Sequence, residues 1–209
     1  MSESKNLSLD SLVIHGADAE RFGGAAITPI FRSTVFEVGP DTPYYGIRYP
    51  RLSTTPNHSE LGTKLAALEG GEAATVTGSG MAAISTALMS MVGSGGHLLC
   101  QDQLYGGSHA LLTQDFPRFG IDVDFVDLTD GDWAAHIAPG KTKAIYVESM
   151  TNPLLRVADH RRIVAEAKAN GVISIIDSTF TPPVNFRPLE LGYDVVVHSA
   201  TKYLNGHSD

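Results

Sequence analysis

The stretch Asp194–Asp209, DVVVHSATKYLNGHSD, decides how this sequence is read. Its apolar run Val195–Val197 is too short and too β-branched for a helix and reads as a buried strand. That strand delivers His198, Ser199, Ala200, Thr201 and Lys202 to the point where the backbone leaves a sheet. In open α/β sheets, ligands bind beyond the carboxyl ends of the strands. A lysine there, flanked by hydroxyl residues, suits a nucleophilic amine beside an anion. An isolated lysine, by contrast, is ordinarily a solvated surface residue.

Upstream, strands and helices alternate. HSELGTKLAALEGG reads as a helix with Leu61, Leu65 and Leu68 on one face, closed by Gly70-Gly71. AATVT reads as a strand, GSGMAAISTALMSMV as a helix stopped by GSGG, and HLLCQD as the next strand. A helix through SHALLTQDF follows, then the strand DVDFVDL, with Asp130 placed to cap a short helix DWAAHI. KAIYVES is a strand, ADHRRIVAEAKANG a capped helix with a glycine stop, and VISIID and DVVVHS are the remaining strands. This alternation predicts an α/β fold, a mostly parallel sheet between helices, over residues 57–209. Residues 1–56 carry FGGAAITPI, GPDTPYYG and YPRLSTTPN, rich in Gly, Pro, Ser and Thr. They read as an extended N-terminal arm with turns, suited to lying across a neighbouring subunit.

Composition narrows the function classes. A formal charge of −8, a pI near 5.4 and no basic cluster argue against a nucleic-acid partner. No long uncharged apolar run suggests a membrane span, and MSESKNLSLD lacks a secretory pattern. The single Cys100 permits no intramolecular disulfide; with HLLCQD around it, it reads as a core residue of a cytoplasmic protein. Nothing gives Glu148, His198 or His207 metal-ligand spacing with Cys100; they read as structural, and no metal is expected.

Three strand ends carry candidate chemistry. In Thr77–Ala83, TGSGMAA, glycines admit close backbone approach and the N–H groups of a helix start favour an anion, so Ser79, Gly80 and Met81 read as a phosphate cradle. The same stretch satisfies G-x-G-x-x-A, with Asp102 ending the next strand, as a dinucleotide site requires. Asp177 closes VISIID, where a carboxylate needs a cationic or hydrogen-bonding partner. Ser199, Thr201 and Lys202 supply hydroxyls for a phosphate and an amine for Schiff-base chemistry once its pKa is lowered. A phosphate cradle, a carboxylate for a ring nitrogen and a lysine for an aldehyde together describe pyridoxal 5'-phosphate (PLP). An NAD-dependent dehydrogenase explains the cradle alone, leaving Asp177 and Lys202 without work.

The segments GSGMAAIST, LYGGSHALL, YVESMTNP, IIDSTFTPP, FRPLELGYDVVVHS and SATKYLNGHSD, in that order, resemble the Cys/Met-metabolism PLP enzymes. That group contains cystathionine γ-lyase, cystathionine γ-synthase, methionine γ-lyase and the homoserine-ester sulfhydrylases. The resemblance runs from roughly Tyr45 to the end. It implies the large domain of a fold type I, aspartate aminotransferase-like PLP-dependent transferase in a homotetramer, a dimer of dimers with shared sites. By resemblance, Lys202 is the lysine that condenses with the cofactor and shuttles protons, Asp177 the partner of the pyridine nitrogen, and Tyr105 the tyrosine stacked on the ring. Without the resemblance Tyr105 reads as a core aromatic. Gly80, Met81, Ser199 and Thr201 match phosphate contacts, and Asn152 and Thr179 match residues lining the ring. Tyr49 and Arg51 match a pair that reaches the neighbouring subunit's phosphate.

Departures from the pattern are STTPN where the family commonly has S-N-P-T, Ser178 in place of Asn, and Gly107 where methionine γ-lyases carry cysteine. Family members also continue past GHSD into a smaller domain that brings an arginine for the substrate carboxylate. The sequence up to Asp209 is therefore expected to bind cofactor better than it turns over substrate. The activity implied is γ-elimination or γ-replacement on cystathionine or homoserine-type amino acids, with cystathionine γ-lyase favoured over γ-synthase or sulfhydrylase. A cofactor-binding chain without catalysis is the alternative of a different class.

Overall fold

The computed structural model describes residues 7–17, 22–129 and 131–207. The chain divides into two compact units between Val76 and Thr77.

In the second unit, five strands form a parallel sheet among the described residues. They are β1 (His97–Gln101), β2 (Asp122–Val126), β3 (Thr142–Glu148), β4 (Ile173–Asp177) and β5 (Val195–Val197). Their order is β2-β1-β3-β4-β5, and every neighbouring pair is parallel. Alternation of side chains across the pleat sorts the apolar residues into two cores. Leu98, Cys100, Ala144, Tyr146, Ile175 and Val197 face the core that includes Ile84 and Leu88 of α3 (Gly80–Val92). Leu99, Ile145, Val147 and Ile176 face the core closed by Ile163 and Ala167 of α5 (His160–Asn170). Both faces of β1, β3 and β4 are covered, which is why these strands read as apolar runs, whereas the edge strand β2 alternates with Asp122 and Asp124 exposed. Cys100 is fully buried, and burial pushes its thiol pKa well up. It is a packing residue.

The order 2-1-3-4-5 reverses direction between β1 and β3, so the loops leaving these two strands diverge and open a crevice at their carboxyl ends. Capping follows the sequence closely. Ser79 accepts from Ala82 N at 3.1 Å to start α3, and Asp159 accepts from Arg162 N to start α5. Gly171, at φ 64°, ends α5 in the left-handed conformation that glycine takes without strain.

The predicted helix through SHALLTQDF is present but broken. It runs as α4 (Gly106–Ala110), a π turn (Leu111–Asp115) and a 3-10 turn (Phe116–Phe119). Pro117 has no N–H to continue an α-helical ladder, and the turn tightens there. DWAAHI forms a 3-10 turn at Trp133–His136; its expected cap, Asp130, lies outside the described residues. A four-residue helix, α6 (Pro188–Leu191), went unread in the sequence.

In the first unit, α1 (Leu9–His15) and α2 (Pro56–Glu69) pack together, and Leu12 is buried. Short 3-10 turns occupy Phe22–Gly24, Tyr44–Gly46 and Pro50–Leu52. Two sequence expectations fail here. The buried face of α2 is Gly62, Ala66 and Glu69, whereas Leu61 is 46% exposed. A Cβ on Gly62 would stand 2.7 Å from the carbonyl oxygen of Ala74, so the following backbone lies hard against the small-residue face. AATVT is also not a strand: it has no ladder partner among the described residues, and Ala73, Ala74 and Thr75 are exposed. Strand propensity without a neighbouring strand leaves the backbone groups to solvent, so no ladder forms.

These two faces of α2 predict different costs. Leu61→Gln should change stability by no more than about 0.5 kcal/mol, while Ala66→Gln should lose about 1–3 kcal/mol, read by chemical denaturation. Equal losses would show that the leucine face is packed as well as the Gly62–Ala66 face.

Candidate active site

A cavity of about 950 Å3 opens at the carboxyl ends of the strands. Ser79, Gly80 and Met81 reach it from the start of α3, and Tyr105 from the N-cap of α4. Asp177 and Thr179 reach it from the end of β4, Ser199, Thr201 and Lys202 from beyond β5, and Asn152 from beyond β3. The residues singled out from three separate strand ends therefore share one space. Tyr105 is 48% exposed, which removes the reading of it as a core aromatic.

One end of the cavity gathers donors of the kind an anion takes. The first N–H groups of α3 have no partner within the helix, and the helix dipole adds partial positive charge. Ser79 Oγ accepts from Ala82 N, leaving its O–H free to donate outward. A Cβ on Gly80 would lie 2.6 Å from Ser199 Cβ and 2.8 Å from Ser199 Oγ. Only glycine lets the helix start and the Ser199 hydroxyl converge. Ser199 is fixed in turn by its N–H, which donates to Thr179 Oγ1 at 2.8 Å.

The other end is acidic and buried. Asp177 is 8% exposed, and burial holds its carboxyl above the usual range. Thr179 N donates to Oδ1 at 2.9 Å, and the hydroxyl of buried Tyr146 approaches Oδ2 at 3.4 Å. These two contacts, with the field of His198, oppose that rise. A buried carboxylate left in that state favours a cationic N–H partner.

Glu148 stands opposite Asp177 in the β3–β4 register and also lines the cavity. Burial raises its carboxyl from 4.5 to about 7, with Asp177 adding to the rise. It accepts from Tyr105 N at 2.7 Å and from Asn152 N at 3.2 Å, while its own N–H donates to Gln101 Oε1 at 3.0 Å. Its sequence reading as structural missed this place in the cavity. The available signal was the one used for Asp177, a carboxylate closing an apolar strand. Phe180 and Tyr203, packed edge-to-face at 6.1 Å, complete one wall and were also unread.

Tyr49 and Arg51 lie in the first unit, around the Pro50–Leu52 turn. The Arg51 guanidinium bonds the Tyr49 hydroxyl and sits 5.2 Å from the centre of its ring. Among the described residues, no cluster of three or more His, Cys, Asp or Glu side chains could hold a metal ion.

This arrangement fits a phosphorylated aromatic aldehyde with a protonated ring nitrogen: an anion cradle, a buried carboxylate and an amine around one cavity. Residues 10–209 match the model of the Cys/Met metabolism PLP-dependent enzymes, and the chain belongs to that family. It is 40% identical over 205 residues to cystathionine beta-lyase MetC of Bacillus subtilis, covering 98% of this chain and 52% of that protein. It is likewise 40% identical over 200 residues to the cystathionine gamma-lyase of the same organism, covering 95% and 52%.

Among solved structures, it matches the cystathionine gamma-lyase of Lactobacillus plantarum, complexed with L-serine, with a TM-score of 0.89 and 36% identity over 97% of this chain and 53% of that one. It also matches a Campylobacter jejuni protein assigned as O-acetylhomoserine (thiol)-lyase that carries N'-pyridoxyl-lysine-5'-monophosphate. There the TM-score is 0.90, with 31% identity over 98% and 52% of the two chains. The chain spans about half the length of the curated relatives it matches. Family membership also removes the NAD-dependent dehydrogenase reading.

Two predictions follow from the two ends of the cavity. Gly80→Ala forces its Cβ against Ser199 and should weaken PLP binding about tenfold, the scale of one overpacked contact, in an absorbance titration. Glu148 and Asp177 both have folded pKa values above their unfolded ones. The contribution of Glu148 is therefore fully present below its unfolded value of 4.5 and lost as pH rises through about 7, and Asp177, raised by burial, acts in the same direction. The unfolding temperature of the cofactor-free protein should fall over that window. Glu148→Gln should flatten the fall, removing a pH-dependent loss on the order of 3 kcal/mol. An unchanged pH slope in that variant would mean that Glu148 ionises alike in both states.

Proposed function

We propose that this chain is the cofactor-binding part of a PLP-dependent carbon–sulfur enzyme of trans-sulfuration, acting on cystathionine or homoserine-type amino acids and most similar in activity to a cystathionine γ-lyase. The observation that carries this reading is the opening of Lys202, Asp177 and the α3 helix start onto one cavity. Each alone has an ordinary structural explanation.

When bound, PLP supplies an aldehyde for an amine and a ring that accepts the electrons left by a broken Cα–H bond. The chain's residues divide the remaining work. The α3 N–H groups, with Ser79, Ser199 and Thr201, would hold the phosphate. Asp177 would keep the ring nitrogen protonated. Tyr105 would border the ring, with its hydroxyl placed to move a proton at the leaving group. Lys202 Nζ would be the amine that meets the aldehyde and the base that carries the Cα proton. Asn152 and Thr179 border the ring. Tyr49 and Arg51, already bonded to each other, serve the phosphate of a neighbouring copy in a homotetramer, where the arginine fork suits that anion. The setting proposed is the cytoplasm.

The test is spectroscopic first. Protein mixed with PLP should absorb in the visible, the band should shift on borohydride reduction, and Lys202→Ala should abolish it. Protein that stays colourless overturns the reading. Products then divide the activities. γ-Elimination of cystathionine with water yields cysteine, 2-oxobutanoate and ammonia, β-elimination yields homocysteine, pyruvate and ammonia, and γ-synthase activity forms cystathionine from a homoserine ester and cysteine with release of the ester's acid. Arg51→Ala, and dilution of the assembly, should both weaken cofactor retention; a monomer that retains it unchanged counts against a shared site.

A further inference from the structure

We infer that Glu148 is a positioning residue, a latch whose single carboxylate fixes the loop carrying Tyr105 and the loop carrying Asn152 against one another across the cofactor cavity. The inference rests on the proposed cofactor site and goes beyond it, because it concerns a residue assigned no part in the chemistry.

The latch lies at the topological switch point. β1 and β3 are neighbours, and the chain leaves them in opposite directions along the sheet. The crevice between the two departing loops is what a ligand uses, yet the same divergence leaves the loops without ladder bonds to each other. Glu148 bridges them. One oxygen accepts from Tyr105 N, four residues beyond the end of β1, and the other from Asn152 N, four residues beyond the end of β3. Its own N–H is held by Gln101, the last residue of β1, so the two strand ends are tied beneath the latch as well.

The residue type follows from this geometry. A carboxylate offers two acceptor oxygens, whereas a glutamine offers one and turns a donor towards the second amide. An aspartate is one methylene shorter and cannot span both loops. Both oxygens are committed to backbone N–H groups, so Glu148 is a poor base for substrate. Its effect is exerted through Tyr105 and Asn152.

Three measurements test the latch. In PLP titrations followed by absorbance, Glu148→Gln should weaken binding about tenfold, as for loss of one hydrogen bond to a charged group. In a Tyr105→Ala background the same change should cost less than about twofold, since coupled residues are non-additive. A full tenfold loss in both backgrounds marks a merely structural residue and overturns the proposal. Amide hydrogen exchange on cofactor-free wild-type protein is independent of the cofactor reading. There the Tyr105 and Asn152 amides should be protected, and exchange of either at the unfolded-chain rate overturns the latch even if Glu148→Gln fails to fold. Protected amides in a protein that never binds PLP would instead sink the cofactor reading and leave the latch standing.

Discussion

Two acidic side chains are buried side by side at the carboxyl edge of a parallel sheet, and the site depends on that constraint. The β3–β4 register sets Glu148 against Asp177, and burial raises both carboxyls. Like charges so placed are unfavourable unless hydrogen bonds or a cation meet them. Glu148 is met by two loop amides, which fixes the cavity walls. Asp177 is met by Thr179, more distantly by Tyr146 and by the field of His198, and a carboxylate so buried suits a cationic partner. Support and affinity thus come from the same kind of residue in adjacent strands, separated by what each one finds to bond.

The rest of the fold serves to bring separate segments to this edge. The middles of β1, β3 and β4 are largely apolar, so the candidate chemistry sits at their ends. Helix α3 presents its start to the same edge, and the glycine at its first turn allows it to meet Ser199. Thr179 links the two halves, bonding Asp177 through its N–H and receiving Ser199 N–H on its hydroxyl. Ser199, beside the α3 start, and Asp177 are therefore linked through one short residue between β4 and β5.

Much of this was legible in the sequence because it depends on local physics. Short apolar runs named the five strands, ADHRRIVAEAKANG read as a capped helix, and the glycines Gly70 and Gly171 named helix ends. The failures share a cause. AATVT has the composition of a strand but no partner, and partnership is not a local property. The leucines of α2 form a plausible stripe, yet the backbone at Ala74 packs on Gly62 and Ala66, and small residues win wherever another chain segment must approach closely.

By itself, the sequence determined the α/β class, the strand ends on which chemistry sits, and the combination of Lys202, Asp177 and Ser79–Met81 that points to one cofactor. Those features follow from propensity, periodicity and residue chemistry, all carried by neighbours along the chain. Only the tertiary structure decided that Glu148 lies beside Asp177, that its carboxylate joins the Tyr105 and Asn152 loops, and that Gly80 and Ser199 touch. Strand order and register put residues dozens of positions apart within hydrogen-bond reach, and no local pattern encodes which strands will be neighbours.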